Sequence, residues 1–153
     1  MEFVLLLFLI FIAILVIKAV LVKAKSRKLG DEISHCTADE QVAYATALGE
    51  MIRCKTVSHE GSFDSKEFEK LRSVMEKLFP VLHSKAQLQI FGDDCWIYKI
   101  EGKDKSRNIM LMSHHDVVEA SGDWKYDGFC GEIHENAIWG RGTVDTKTSL
   151  FAE

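Results

Sequence analysis

The chain has 153 residues, 47% of them hydrophobic and 27% charged, with a formal net charge of −4. That length holds one ordinary domain. Charges of both signs are mixed along it, and the only basic cluster is short and N-terminal, which argues against a nucleic-acid surface.

In chain order, Phe3 to Ile17 is uninterruptedly apolar, and Ala19 to Val22 continues the run after Lys18. Such a run makes a helix of about 30 Å, enough to cross a bilayer. Lys18 can snorkel its amine to the headgroups. A cleaved signal peptide is the alternative. It fits less well, because Glu2 replaces the usual basic n-region, the apolar core is long and no clean small-x-small site follows. Residues 1–22 are therefore expected to be a single-pass anchor that meets the lipid bilayer through residues 3–22. Lys23, Lys25, Arg27 and Lys28 follow the span. The positive-inside tendency then favours a cytoplasmic location for the rest, with the cluster against anionic lipid headgroups. Residues 23–36 read as a juxtamembrane linker.

Thr37-Ala-Asp-Glu40 has the form of a capping box. Val42, Ala45, Leu48 and Ile52 follow at helical spacing, and the helix is expected to end near Arg53 to Lys55. A polar loop containing Thr56-Val57-Ser58 leads to a second helix from Asp64 or Ser65. Phe68, Leu71, Met75 and Leu78 form its buried face, with Pro80, the only proline, at its end. Leu88 to Phe91 and Trp96 to Ile100 read as a hairpin around Gly92-Asp93-Asp94. Ile109 to Met112 reads as a short strand buried on both faces. Gly131 to His134 and Ala137 to Trp139 flank the turn Glu135-Asn136. Two helices, then strands, fit the opening of an α/β sandwich domain. Cys36, Cys54, Cys95 and Cys130 show no Cys-x-x-Cys spacing. They read as scattered small hydrophobes rather than a zinc knuckle or disulfide framework.

The chemistry concentrates after the expected strand at Ile109–Met112. In α/β sheets, ligands collect beyond the carboxyl ends of parallel strands, and His114 lies there. A neutral imidazole binds zinc at about 2.0–2.1 Å. Asp116, two residues on, can fix the tautomer of that ring. Alone, a histidine at a strand end more often caps a turn. Asp145 stands 31 positions after His114, behind the turn Gly140-Arg-Gly142. Its two oxygens can bridge cations roughly 3.5–4 Å apart, and the glycines permit a sharp turn before it. Alone, Gly-Arg-Gly reads as an ordinary surface turn. If both residues reach one metal pair, their side-chain tips should lie within about 5 Å, with Asp116 against the other ring nitrogen of His114. His115 and His134 are the next histidines to examine as ligands.

Leu111-Met-Ser-His-His-Asp-Val-Val118 and Gly140-Arg-Gly-Thr-Val-Asp-Thr-Lys147 together resemble the metal motifs of the M20 family of zinc peptidases and amino-acylases. These are His-x-Asp, then Gly-Arg-Gly-x-x-Asp-x-Lys. Trp124 to Ile133, Leu48-Gly-Glu-Met-Ile-Arg53 and Thr56-Val57-Ser58 are similar to further segments of that family. The resemblance covers residues 37–153, which it implies are the N-terminal portion of a zinc-hydrolase domain. With the anchor, it points to the carboxypeptidase S-like branch, whose members cleave peptides or N-acyl amino acids.

The resemblance implies two zinc ions in the full-length protein. His114 would bind one and Asp145 would bridge both, and Asp116 is the candidate catalytic residue, acting by orienting His114. His115 falls on the variable position. Glu119 and Gly128 stand where the family usually has proline. The family adds a Glu-Glu pair, one more acidic ligand and a distant histidine, all downstream of its Asp motif, and Glu153 is too close to Asp145 to be the general base. The 153 residues alone are therefore expected to be inactive, and a homodimer would form through a second domain outside them. The competing expectation is a non-catalytic, membrane-tethered module that uses this half-domain for interaction. A serine hydrolase finds no support, because no Gly-x-Ser-x-Gly occurs.

Overall fold

A computed structural model describes residues 2–21, 36–92 and 94–153. They fall into two units, Met1–His35 and Cys36–Glu153. In the first, helix α1 spans Glu2–Leu21. It is long and apolar enough to cross a membrane, and none of Val4–Leu21 is buried. The basic cluster at 23–28, and all of the expected linker except Cys36, lie outside the described residues.

The second unit opens on helix α2 (Ala38–Ile52), capped by Thr37. The Thr37 hydroxyl accepts from the Glu40 amide at 3.3 Å, and the Glu40 carboxylate accepts from the Thr37 amide at 2.8 Å. Two donors that a helix start leaves without partners are thereby satisfied. Leu48, Met51 and Ile52 are buried, whereas Val42 is exposed. The apolar stripe thus meets the core only in its last turns.

A small hairpin, β1 (Ser58–His59) with β2 (Ser62–Phe63), occupies the expected polar loop. Helix α3 (Ser65–Leu78) follows, with Asp64 accepting from the Lys66 amide at 3.1 Å. It buries Phe68, Leu71 and Met75. Pro80 does more than end α3. It opens a short helix α4 (Pro80–Lys85), where its missing N–H leaves no bond unmade.

Strands β3 (Gln87–Phe91) and β4 (Cys95–Lys99) pair antiparallel, Gln87 opposite Lys99 and Phe91 opposite Cys95. Asp93, part of the expected turn Gly92-Asp93-Asp94, lies outside the described residues. Strands β5 (Glu132–His134) and β6 (Ala137–Trp139) form the last hairpin. Its two turn residues, Glu135 and Asn136, both have positive φ, 53° and 60°, as two-residue hairpin loops of this hand require. Helix α5 (Lys147–Ala152) closes the unit.

The core is Met51, Cys54, Leu71 and Met75, covered by Trp96 and Tyr98 from β4 and by Leu150 and Phe151 from α5. Full burial of a large apolar side chain such as these contributes about 1.5–3 kcal/mol.

The architecture is mixed helix and sheet, but the described residues hold three separate two-stranded sheets. The buried strand expected at Ile109–Met112 is not there. The segment pairs with no strand, and Ile109 and Met110 are 89% and 79% exposed. An apolar run reports a preference for burial. A strand forms only where neighbouring backbone supplies its hydrogen bonds, and none of the described residues does so here.

Candidate metal centre

Three loop segments build the site. The first is Thr56–Ser58, just past α2. The second, His115–Val117, is stitched to it by a parallel bridge between Val57 and Val117. The Val117 amide donates to Thr56 O at 2.9 Å, and the Ser58 amide to Val117 O at 3.2 Å. The buried Thr56 hydroxyl donates to His115 O at 2.6 Å. The backbone around His114 is therefore held from both sides.

The third segment is the turn Gly140–Lys147. Gly142 sits at φ 89°, and a Cβ there would come within 2.9 Å of Val117 Cγ1. Only glycine lets the turn lie against the second segment at that angle. From the turn's far side Lys147 runs inward and is fully buried. Its ammonium donates to Met51 O at 3.0 Å and Cys54 O at 2.6 Å, at the C-terminal end of α2. A helix C-terminus favours a cation. Burial nevertheless pushes the Lys147 ammonium down to about 8, against the opposing pull of Cys54 and Glu67.

These segments bring His114 and Asp145 together. Nε2 of His114 lies 2.9 Å from Asp145 Oδ1. On the other side of the ring, Nδ1 lies 3.1 Å from Asp116 Oδ1 and 3.0 Å from Asp116 O. Ser58 in turn donates to Asp116 Oδ2 at 2.5 Å. The Asp145 hydrogen bond raises the His114 pKa most; burial opposes it and Asp116 adds to it. Burial works to raise the Asp116 pKa, but hydrogen bonds from Ser58 and His114 outweigh it and hold the carboxyl below its usual value.

His115 turns the other way. Its ring stacks on Trp96 with centroids 4.3 Å apart, meets Phe68 edge-on, and places Nε2 3.3 Å from Asp94 Oδ2. The two adjacent histidines thus face different surroundings, one the Asp145 side and one an aromatic wall.

Beside His114 and Asp145 lies a cleft of about 360 Å³, bounded also by Trp124, Trp139 and Arg141. The Arg141 guanidinium sits over the Trp124 ring at 5.1 Å. Gly128 makes the Trp124 loop compact, since a Cβ there would lie 2.4 Å from Ala120 Cβ.

The donor set fits part of a zinc site. An imidazole nitrogen and a carboxylate oxygen converge at the mouth of a cleft, both on exposed side chains, and a second carboxylate lies against the other ring nitrogen, where a zinc-bound histidine usually has its support. The contribution of Ser58, Thr56 and Lys147 was not evident from sequence. Thr56 and Ser58 stood out only as a motif, and nothing in their spacing shows which backbone they would bond.

The chain is 33% identical over 129 residues to probable carboxypeptidase S-like 2 of Dictyostelium discoideum, covering 80% of this chain and 25% of that protein. It is 35% identical over 95 residues to carboxypeptidase S of Saccharomyces cerevisiae, covering 58% and 16%. It is 34% identical over 125 residues to the N-fatty-acyl-amino acid synthase/hydrolase PM20D1 of Mus musculus, covering 78% and 25%. The chain spans about a quarter of the length of the first of these relatives. No family model matches it, and no solved structure matches it. At 27–35% identity, these carboxypeptidase S-like and PM20D1 relatives support the M20 peptidase family, in its carboxypeptidase S-like branch, as the family of this chain.

Proposed function

We propose that this chain is part of a membrane-anchored, zinc-dependent amidohydrolase that cleaves peptides or N-acyl amino acids, and that residues 37–153 belong to its α/β sandwich catalytic domain. The observation that carries the reading is the 2.9 Å approach of His114 Nε2 to Asp145 Oδ1, with Asp116 behind the ring. His114 and Asp145 would hold the metal. When bound, zinc polarises a scissile carbonyl and brings the pKa of its water to about 7.

The chain's own residues do the rest. Asp116 keeps a proton on Nδ1 of His114, so that Nε2 presents its lone pair. Ser58 keeps Asp116 in place. Asp145 offers two oxygens from a turn clamped by Gly142 and Lys147. Trp124 and Trp139 give the cleft apolar walls suited to an acyl or side-chain group. The substrate class follows the relatives, a carboxypeptidase and an N-fatty-acyl-amino acid synthase/hydrolase.

The test is hydrolysis of a dipeptide and of an N-fatty-acyl amino acid by the protein that carries this chain. Activity should disappear on dialysis against a chelator and return with zinc. No hydrolysis of either amide by the metal-loaded protein would favour the non-catalytic module instead.

The bilayer part of the proposal has its own check. Helix α1 should keep the protein in the pellet after carbonate extraction of membranes. Release into the soluble fraction would remove the anchor and leave a cleaved leader as the better account.

A further inference from the structure

We infer a second metal site, for a zinc-like divalent cation, formed by Cys130, Glu132 and His134 on the β5 hairpin. A sulfur, a carboxylate oxygen and an imidazole nitrogen from these three residues lie within 4.8 Å of one another. Glu132 and His134 flank Ile133 in β5, so strand alternation puts them on one face. Gly131 breaks the regular strand at φ 56° and swings Cys130 to the same side.

The frame under these donors is fixed. Gly131 crosses Gly49 of α2 so closely that a Cβ on Gly131 would meet Gly49 O at 2.3 Å. The Arg53 guanidinium donates to Gly131 O at 3.1 Å and Cys130 O at 3.4 Å. The Cys130 amide donates to Asp127 O at 3.0 Å. At the other end, Trp139 Nε1 donates to His134 O at 3.0 Å. The His134 ring lies flat on Tyr126, with centroids 3.8 Å apart and planes 4° apart. Side chains held this way lose little freedom on binding.

Distances allow the site. Zinc bonds of about 2.0–2.3 Å in a tetrahedral arrangement put donor atoms about 3.3–3.7 Å apart. His134 Nε2 and Glu132 Oε2 already lie at 2.9 Å, and Glu132 is exposed and free to adjust. The thiolate favours zinc over calcium or magnesium, which prefer all-oxygen sites. Three protein ligands leave the fourth position to water.

Binding balances simply. The Cys130 thiol gives its proton to solvent, losing its 3.4 Å hydrogen bond to Trp139 O. Nε2 of His134 becomes the ligand, and the ring keeps its proton on Nδ1. One proton leaves per cation, and thiolate plus carboxylate neutralise the dication. Trp139 also lines the His114–Asp145 cleft, so a cation here would stiffen the hairpin leading into Gly140–Asp145.

The full chain, reduced, stripped of metal and held in detergent micelles, is titrated with cobalt(II) under anaerobic conditions. Stoichiometric binding is expected, with a thiolate-to-cobalt charge-transfer absorption that zinc displaces. Cys130→Ser and His134→Gln should each abolish the absorption with circular dichroism unchanged. The His114→Ala, Asp145→Ala double variant should retain it, which separates this site from the proposed catalytic one. If Cys130→Ser does not fold, Glu132→Gln serves in its place and should raise the cobalt needed at the midpoint about tenfold or more, at least as much as loss of an outer partner does elsewhere. No charge-transfer absorption in the parent chain, or one that survives Cys130→Ser, overturns the site. An unmoved midpoint in Glu132→Gln does the same.

Discussion

Replacing His114 or Asp145 by alanine is expected to lower amide hydrolysis by the protein that carries this chain more than about 100-fold. Asp116→Ala should lower it about 10- to 100-fold, the range seen when the partner behind a metal-bound histidine is removed. The ordering follows from position. His114 and Asp145 meet tip to tip at 2.9 Å, whereas Asp116 touches the ring from behind at 3.1 Å. Loss of Asp116 leaves Nε2 in place but frees the ring to rotate and change tautomer. Asp116→Asn keeps an oxygen that can accept from Nδ1–H, and should recover part of the loss. His115→Phe tests the partition between the adjacent histidines. His115 packs against Trp96 and Phe68, so a phenyl ring should preserve most of the activity. Near-wild-type turnover by Asp145→Ala, or a collapse of turnover in a folded His115→Phe, would reverse these assignments.

Much of the local structure was legible in the sequence because it rests on local chemistry. The capping box at Thr37 and Glu40, the helix start at Asp64 or Ser65 and the turn at Glu135-Asn136 involve residues within a few positions of each other, and the structure has all three. The faces of α2 and α3 were legible where a helical stripe met the core, and misleading at Val42, where periodicity carried on past the contact.

Tertiary features were not legible in the same way. The segment Ile109–Met112 has the composition of a central strand, yet its state depends on partner strands that its own residues do not specify. Helix α5 begins on Lys147, the last residue of the metal motif, and was not foreseen; its Leu150 and Phe151 find their role by packing against the core of Met51, Cys54, Leu71 and Met75. The candidate ligands were legible through their motifs, and the supports were not. Ser58 reaches Asp116 across 58 positions, and Lys147 reaches Cys54 across 93. No spacing rule connects residues so far apart.

Lys147→Ala is expected to destabilise the Cys36–Glu153 unit by about 2–5 kcal/mol, the range for truncating a long buried side chain to alanine. Lys147→Met, which keeps most of the volume, should cost about 1–3 kcal/mol. Two opposing effects set the second figure. Burying an ammonium is unfavourable, as its depressed pKa reflects, and methionine removes that penalty. Methionine also takes a charged donor from Met51 O and Cys54 O. Each carbonyl keeps a backbone partner, the Cys54 amide for Met51 O and the Thr56 amide for Cys54 O. The loss is therefore that of a second, charge-assisted bond at each carbonyl, about 1.5–3 kcal/mol apiece before the recovered desolvation. Denaturant unfolding of the full chain in micelles should rank parent above Lys147→Met above Lys147→Ala. Both variants should also weaken zinc binding at His114 and Asp145, because Lys147 ties the Asp145 turn to the end of α2. A Lys147→Met chain that unfolds at the parent's denaturant concentration and binds zinc as the parent does would show that packing alone holds the turn.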